Sequence, residues 1–322
     1  MELIPVAQNS NEKLMVKTLS TEKPFIEANT SACTMEEIKN SHIIPVFIKD
    51  NEPLISHADF IETTFQVARD IFSSEIILSP NVRLSHPIKG RIPEERNKSA
   101  MELEEYEKTI YYERMMFVIE IPSIQGEIDG SKLSLTIGGV KSYNSDNLYS
   151  KKGSDEHFKI FIGFKNQVCT NLCVWSDGSV GNLVVRNIGQ LQGAIKTLFE
   201  NYNSNYHLHN LKRFSEFEIT ENQFAHLIGR SRIYNFLPHA LKKDIPQLLF
   251  GDSQINTVCR ELYTNSDGYM NSINLWNLYN LFTSANKSSY IDSFLERSVN
   301  AYEFIEQLKF ALVNKSTCWY LN

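Results

Sequence analysis

The feature that most constrains the fold is a run of strand-like segments in the middle third of the chain. Residues 115–121, 133–143, 158–164 and 183–188 are rich in β-branched and aromatic residues, which favour strands. Asp129-Gly130 and Asp177-Gly178 fall between these segments, and Asp-Gly between two strands is a strong hairpin signal. Because no helix-length connection separates the segments, the pattern predicts an antiparallel meander of about five to six strands.

Helical spacing lies on both sides of the predicted meander. Thr34 and Ser56 begin segments that resemble helix N-caps, and apolar residues recur every three or four positions from Phe60 to Phe72. The same spacing runs from Gln190 to Tyr202 and continues throughout beyond residue 217. These patterns predict an α+β protein, with an antiparallel β-meander flanked by helices and followed by a helical C-terminal third.

Less regular segments separate these elements. We expect an extended segment over 42–48, a strand over 76–84 and an exposed loop over 86–99. Residues 201–210 are rich in Asn and His and form the best candidate for an internal boundary. The sequence thus predicts a mobile N-terminal arm over 1–33, an α/β region with the sheet over 34–203, and a helical region over 204–322 packed on the sheet as one unit.

Composition excludes several classes of protein. Hydrophobic residues make up 42% of the chain and charged residues 22%, which are values of a globular protein. No apolar run approaches the roughly 20 residues of a membrane helix, and the N-terminus lacks the pattern of a secretion signal, so we expect no membrane partner. Five scattered cysteines, an odd number, favour a reduced, cytoplasmic setting. The sequence carries no signal for an oligomeric state.

Two thiols and two imidazoles form the combination most suggestive of a metal. Cys169 and Cys173, together with His207 and His209, could supply the four ligands of a zinc ion. The spacing of the thiols and their apolar neighbours differ from those of a zinc knuckle, so buried thiols that act as small hydrophobic groups are the favoured interpretation. A Cys–His nucleophile is disfavoured as well, because no glycine-rich turn adjoins either thiol.

The sequence does not support a phosphate-binding loop or another cofactor site. Gly138-Gly139 lacks the Gly-Lys-Ser/Thr ending of a phosphate-binding loop, and we expect these glycines to mark a bulge or a tight bend in the sheet. The sequence therefore predicts no catalytic residue, no metal and no cofactor.

Basic residues suggest one binding function. The net charge of −6 argues against a protein that coats nucleic acid by bulk attraction, yet the strand region is locally basic. Cations among aromatic residues suit single-stranded DNA; the alternative is that the aromatic residues fill the core and the lysines solubilise the sheet edges. The candidate DNA-binding residues are Arg83, Lys89, Arg91, Arg96, Lys141, Lys159 and Lys165.

Two segments carry a resemblance to a known family. Phe-Lys-Asn-Gln-Val-Cys-Thr-Asn-Leu at 164–172 is similar to the Val-Cys-x-Asn-Gly motif of the phage/plasmid-like proteins, a family of unknown function carried by mobile elements. Residues 274–283 resemble its Trp-x-x-x-Asn-x-x-Thr segment, which a trailing Arg follows. The resemblance is strongest to a related uncharacterised family common in Bacteroides-type bacteria, over most of the chain after residue 35. The matching residues are Val168, Cys169, Asn171, Trp276, Asn280, Thr283 and Arg297.

The chain departs from that pattern at two places. Leu172 stands where the wider family has Gly, and Asn286 and Lys287 occupy the stretch where it has His. The resemblance implies a mobile-element setting and work linked to DNA, without a known activity. The motif residues can equally be architectural, because an Asn side chain satisfies backbone groups at a turn and a Trp fills the space between two layers.

Three functions from different classes follow. The leading hypothesis is a non-enzymatic mobile-element protein that binds single-stranded DNA through the sheet and its loops. The alternative is a protein-interaction or regulatory module that uses acidic faces and binds another protein instead of nucleic acid. The third is an enzyme with a Cys-based or metal-based site.

Overall fold

The computed structural model of the chain describes residues 23–41, 55–95, 97–99, 101–143, 155–265 and 271–322. The strands are β1 (Ser31–Cys33), β2 (Asn81–Leu84), β3 (Pro87–Arg91), β4 (Lys108–Tyr112), β5 (Arg114–Ile128), β6 (Ser131–Ser142), β7 (Glu156–Asn166), β8 (Leu172–Cys173), β9 (Ser179–Val185), β10 (Glu218–Thr220) and β11 (Ser272–Asn274). Seven of them form an antiparallel sheet in the order β1-β2-β5-β6-β7, with β8 and β9 both paired to β7. The sheet curls into a half-barrel, and the predicted α+β fold with an antiparallel meander is confirmed.

Helices surround the sheet and make up most of the C-terminal region. The N-cap predicted at Ser56 forms, and Thr220 forms another: each accepts a backbone N–H through its side chain in a complete capping box. The helices are α1 (Met35–Ser41), α2 (His57–Ile71), α3 (Ile188–Asn201), α4 (Ser204–Arg213), α5 (Glu221–Phe236), α6 (His239–Lys242), α7 (Asp252–Asn265), α8 (Leu275–Asn286) and α9 (Ile291–Asn314).

The longest hairpin forms at a predicted turn. β5 and β6 pair through Asp129 and Gly130, whose φ angles are 49° and 74°. Two positive φ angles in a row are typical of a type I′ turn, whose twist matches that of the paired strands. Glycine adopts the second position without steric cost, so this dipeptide fixes the register of the two longest strands.

Gly138 and Gly139 have a packing role instead of the predicted bulge. Both lie in unbroken register within β6, so no bulge lies there, and the tight bend given as the alternative stays a prediction. A Cβ on Gly138 would lie 2.2 Å from the Phe117 carbonyl oxygen, and one on Gly139 would lie 2.3 Å from the Phe60 ring. Gly139 therefore lets α2 approach the sheet closely. The register shift falls after Ile121 of β5.

Both faces of the sheet are covered by apolar side chains. One face packs Ile137 and Ile162 against α2, α3 and the C-terminal helices in the larger core. The other face packs Val140 and Phe161 against the first turns of α9 and against Phe25. The 24 residues of α9 extend about 36 Å, and the helix contributes to both cores. The predicted division at 203/204 stays a prediction.

Some local expectations differ from the structure. The segment predicted as an exposed loop over 86–99 contains β3, which pairs with β4, and the C-terminal region contains the short β10–β11 pair. The strand expected over 76–84 begins only at Asn81. The extended segment expected over 42–48 and residues 1–22 of the predicted arm lie outside the described residues.

Among the described residues, no helix is both long enough and apolar enough to cross a bilayer. The cytoplasmic location stays a prediction.

Candidate functional site

A cleft of about 920 Å³ opens where one end of the sheet meets the C-terminal helices. Its walls are the β5–β6 turn, the loop between β7 and β8 (167–171, the β7–β8 loop), the end of α7, β11 and one face of α8. A volume of this size is within the range of ligand-binding pockets. The cleft is therefore the first candidate for a functional site.

Three asparagines along α8 form one wall of the cleft. Asn274, Asn277 and Asn280 all line it, because residues three apart share one face of a helix; we call them the amide row. Asn274 caps α8, its Oδ1 accepting from the Asn277 backbone N–H at 2.8 Å. Asn280 donates from Nδ2 to the Trp276 carbonyl at 2.9 Å. The row is thus held in place by local hydrogen bonds.

The β7–β8 loop forms the opposite wall, and its shape comes from side chains at its ends. Asn166 accepts the backbone N–H groups of Val168 and Cys169 at 2.9 and 3.3 Å, a turn that Asn favours. Thr170 has a φ of 59°. The buried Lys287 amine donates to the Cys169 carbonyl and, at 2.9 Å, to the Thr170 hydroxyl. Lys287 therefore fastens the loop to the end of α8.

Asn171 connects the two walls and has one unused acceptor. Its side chain is only 2% exposed and donates from Nδ2 to the Asn280 carbonyl at 2.9 Å. The Oδ1 atom of Asn171 is buried without a hydrogen-bond partner among the described residues, and so is the Oδ1 of Asn280. A buried acceptor left unpaired costs about 1–3 kcal/mol, so a donor from a bound molecule or from solvent stabilises this site.

Three carboxylates make the cleft acidic. Asp129, Glu218 and Glu261 line it, whereas no Lys or Arg stands among the described lining residues. Asp129 accepts from the Asn274 Nδ2 at 2.9 Å, and Glu218 accepts from the Ser272 hydroxyl at 2.7 Å. Within the described ranges, the Glu261 carboxylate makes no hydrogen bond or ion pair, although it acts on the Lys287 amine through space. Its charge opposes that of an anionic ligand and favours a cationic one.

The environment of the Cys169 thiol in the cleft disfavours the thiolate form. Burial raises the pKa of Cys169, against the smaller lowering effect of the Lys287 amine, and burial raises the pKa of Cys173 as well. The thiolate is the form that attacks substrates and binds metals, so both thiols are held in the unreactive form.

The four residues of the zinc alternative occupy different surroundings. Cys169 lines the cleft, Cys173 is buried in the larger core, His207 is buried against the Trp175 ring and His209 is exposed on α4. In the part of the chain that the structure describes, no group of three or more His, Cys, Asp or Glu side chains could hold a metal ion.

The two motif segments converge on the cleft. Val168, which is 80% exposed, lines it together with Cys169, Asn171 and Asn280. Trp276 is buried in the larger core. Sequence reasoning missed Asn166, Asn274, Asn277 and Lys287, although the three-residue spacing of the asparagines along α8 was a visible signal.

Two other motif residues have structural contacts. The Thr283 hydroxyl donates to the Tyr279 carbonyl at 3.1 Å, within its own helix. The Arg297 guanidinium donates to the Leu249 carbonyl at 2.9 Å and to the Ser289 hydroxyl at 2.9 Å. Arg297 therefore fixes the segment before α7 to α9.

The candidate DNA-binding residues of the sheet lie on different faces. Lys141 is fully buried and pairs with Glu156 at 2.6 Å. Lys159 and Lys165 occupy the opposite face, because Lys141 stands opposite Phe158 in the register and side chains alternate along a strand. Lys165 is mostly buried and pairs with Glu120. The structure thus does not bring these three lysines together.

The remaining candidate cations lie in the first half of the chain. Arg83 donates to the Thr30 carbonyl at 2.7 Å, and Arg91 donates to the Lys98 carbonyl. Lys89 lies in β3, with its side chain outside the described atoms, and Arg96 lies outside the described residues. Lys159 donates to the Asp292 carbonyl at 2.6 Å and pairs with Glu296 at 3.1 Å. Each described cation of the set therefore contacts an acceptor of its own chain.

Comparison with known proteins places the chain in a family without assigning an activity. The sequence profile of a family described as "Domain of unknown function, B. Theta Gene description (DUF3871)" matches residues 7–321. No curated protein and no solved structure matches the chain. The predicted relation to an uncharacterised family is confirmed at this level, whereas the link to phage/plasmid-like proteins and mobile elements stays a prediction.

Proposed function

The chain belongs to the DUF3871 family of unknown function, and we propose that it is a non-enzymatic binding protein whose ligand docks between the β7–β8 loop and the amide row. The observation that carries this proposal is Asn171, a 2% exposed residue of the cleft wall whose Oδ1 atom is buried without a partner among the described residues. A ligand that brings an N–H or O–H donor satisfies this atom, and the gain is available only when the cleft is occupied.

The charge of the cleft restricts the chemical class of the ligand further. With Asp129, Glu218 and Glu261 in its walls and no described cation among them, the cleft repels phosphates and carboxylates. The ligand is therefore rich in hydrogen-bond donors and either neutral or positively charged. This agrees with the protein-interaction alternative, which assigned function to acidic faces.

An enzymatic role receives less support from the same residues. Burial raises the pKa of the Cys169 thiol, which opposes the nucleophilic form. The negative charge of the Glu261 carboxylate raises the pKa of the Cys169 thiol further. The walls of the cleft thus favour holding a ligand over attacking one.

Matched small molecules test the proposal. Saturation-transfer NMR would compare cadaverine and glycerol with glutarate, in the presence of the full chain. We expect the amine and the polyol to give signals and the dicarboxylate to give none. Asn277→Ala should weaken binding, and the exposed Asn256→Ala on α7, an equivalent change outside the cleft, should not. Equal binding of glutarate, or binding unaffected by Asn277→Ala, would sink the proposal.

Single-stranded DNA binding stays a prediction with its own test. Two of its candidate lysines, Lys141 and Lys165, are buried in ion pairs, so phosphate contacts would depend on the other cations. Fluorescence anisotropy with a labelled oligonucleotide at low and high salt measures such contacts directly. Because phosphate contacts are strongest at low salt, an unchanged anisotropy there would exclude this function.

A further inference from the structure

We infer that the ligand of the cleft is an extended polypeptide segment with lysine or arginine side chains, supplied by a partner protein. This inference rests on the proposed function and names its partner class. It depends on three properties of the walls, namely their amide groups, the lack of aromatic side chains among the described lining residues, and their negative charge.

Asparagine side chains match the hydrogen bonding of a peptide backbone. A carboxamide offers donors and an acceptor, so one Asn can bond both the N–H and the C=O of an extended residue. Asn277 is placed to do so, because its side chain is exposed and its side-chain contact among the described residues is a 3.5 Å one to Asp129. Asn171 adjoins the amide row, because its side chain donates to the Asn280 carbonyl and both residues line the cleft. From Asn274 to Ser284, both of which line the cleft, α8 rises about 15 Å, which is the length of about four to five extended residues.

The apolar part of the lining distinguishes a polypeptide from other donor-rich ligands. Nucleobases and sugar rings are commonly held by stacking on aromatic side chains. The described apolar residues of the lining are aliphatic, namely Val168, Leu262, Ile273 and Leu281. Aliphatic side chains contact peptide side chains without requiring a flat ring, so the cleft suits a chain of amino acids better than a base or a sugar.

The carboxylates select basic side chains on that segment. Glu261 has no hydrogen bond or ion pair within the described ranges, and it stands at the end of α7, on the cleft wall. Burial lowers the pKa of the Lys287 amine, and the Glu261 carboxylate is close enough to raise this pKa by a smaller amount. Lys287 is 5% exposed and donates to the β7–β8 loop, so it does not form an ion pair with Glu261. A lysine or arginine of the ligand can therefore pair with Glu261.

A labelled peptide, two modified versions of it and spermidine test this inference on the full chain. The probe is a fluorescein-labelled, acetylated decapeptide amide of alternating Lys and Gly. The modified versions replace Lys by Glu, or methylate alternate backbone nitrogens; spermidine provides the amine without a peptide unit. We expect the Lys-Gly probe to bind, the Glu and N-methyl versions to bind at least tenfold more weakly, and spermidine to displace the probe poorly.

Matched variants connect the binding to the cleft. Asn277→Ala and Glu261→Gln should each weaken probe binding by about three- to tenfold, the usual effect of one hydrogen bond. Asn256→Ala and the exposed Glu36→Gln remove the same groups elsewhere and should leave the affinity unchanged. Similar thermal melting of all four variants would show that they remain folded.

The outcomes separate the inference from the proposed function. If spermidine displaces the probe as well as an unlabelled peptide does, and N-methylation has no effect, the cleft binds amines and the polypeptide inference is overturned. If the peptide, spermidine, cadaverine and glycerol all fail to bind up to millimolar concentration, the proposed function is overturned as well.

Discussion

The side-chain amide of Asn171 donates a hydrogen bond of 2.9 Å to the carbonyl of Asn280, a residue 109 positions later in the chain. The same carbonyl accepts the Thr283 hydroxyl at 3.1 Å. Three residues of the two motif segments thus meet at a single carbonyl oxygen. This contact holds the β7–β8 loop against α8 and thereby sets the width of the cleft.

Asn171→Ala should lower the free energy of unfolding by about 1 kcal/mol, because the loop loses its hydrogen bond to the Asn280 carbonyl, which keeps the Thr283 hydroxyl as a donor. Urea denaturation followed by tryptophan fluorescence measures this change. Asn256→Ala, on the exposed face of α7, is the matched control and should shift stability by less than about 0.5 kcal/mol. Equal midpoints for the two variants would show that the Asn171 contact has no structural role.

Lys141→Met should destabilise the protein strongly. The Lys141 amine pairs with the Glu156 carboxylate at 2.6 Å in the core, and removal of one partner of a buried pair typically costs about 3–5 kcal/mol. Glu156 also accepts the Ile55 backbone N–H at 2.9 Å, which Gln can still accept. The double variant Lys141→Met/Glu156→Gln should therefore be more stable than Lys141→Met alone.

The surface pair of Lys196 and Glu200 is the control for this experiment. Its atoms are 3.7 Å apart and both side chains are more than half exposed, so Lys196→Met should cost less than about 1 kcal/mol. Chemical denaturation of these three variants and the wild type gives the comparison. A Lys141→Met variant as stable as Lys196→Met would argue that the amine is free for another role, such as binding phosphate.

Gly130→Ala should destabilise the β5–β6 hairpin by about 1 kcal/mol, because Gly130 has a φ of 74° and a Cβ disfavours that conformation. Gly193→Ala should have the opposite sign. Gly193 is exposed within α3, with open space around it, and alanine stabilises a helix interior by about 0.5–1 kcal/mol. Thermal melting of both variants checks the signs, and a stabilised Gly130→Ala would contradict the assigned turn.

Local signals account for the parts of the fold that could be predicted from the sequence. The capping boxes at Ser56 and Thr220 and the turn at Asp129-Gly130 depend on residues within three positions of each other, where sequence patterns are informative. The short β10–β11 pair joins Glu218 to Asn274. A strand pair formed by residues this far apart in the sequence produces no local pattern, so the β10–β11 pair was not predicted.

The cleft could not be predicted because its walls meet only in three dimensions. Asn166 and Asn277 lie in different motif regions, and neither has a local feature that indicates the other. The burial of Lys141 and Lys165 was missed for a related reason. When a strand is covered on both faces, the side chains that point to either face are buried. The carboxylates that pair with these two lysines come from other segments of the chain, so the sequence alone did not reveal the pairs.

His207 should make the protein less stable in mild acid. Burial lowers the pKa of His207 to about 3, and its ring stacks on Trp175 with centroids 4.8 Å apart. An unfolded chain binds this proton near pH 6.5, so the stabilising contribution is complete above that pH and is lost as the pH falls towards 3. Between pH 7 and pH 5 the loss amounts to about 2 kcal/mol.

The variant His207→Phe removes the titrating group and keeps an aromatic ring beside Trp175. Other residues also titrate over this range, so the informative quantity is the difference between the pH slopes of the variant and the wild type. Urea denaturation at pH 7, 6 and 5 should give a shallower slope for His207→Phe. His209→Gln, exposed in the same helix, should keep the wild-type slope, whereas identical slopes for all three proteins would mean that His207 is not held neutral by burial.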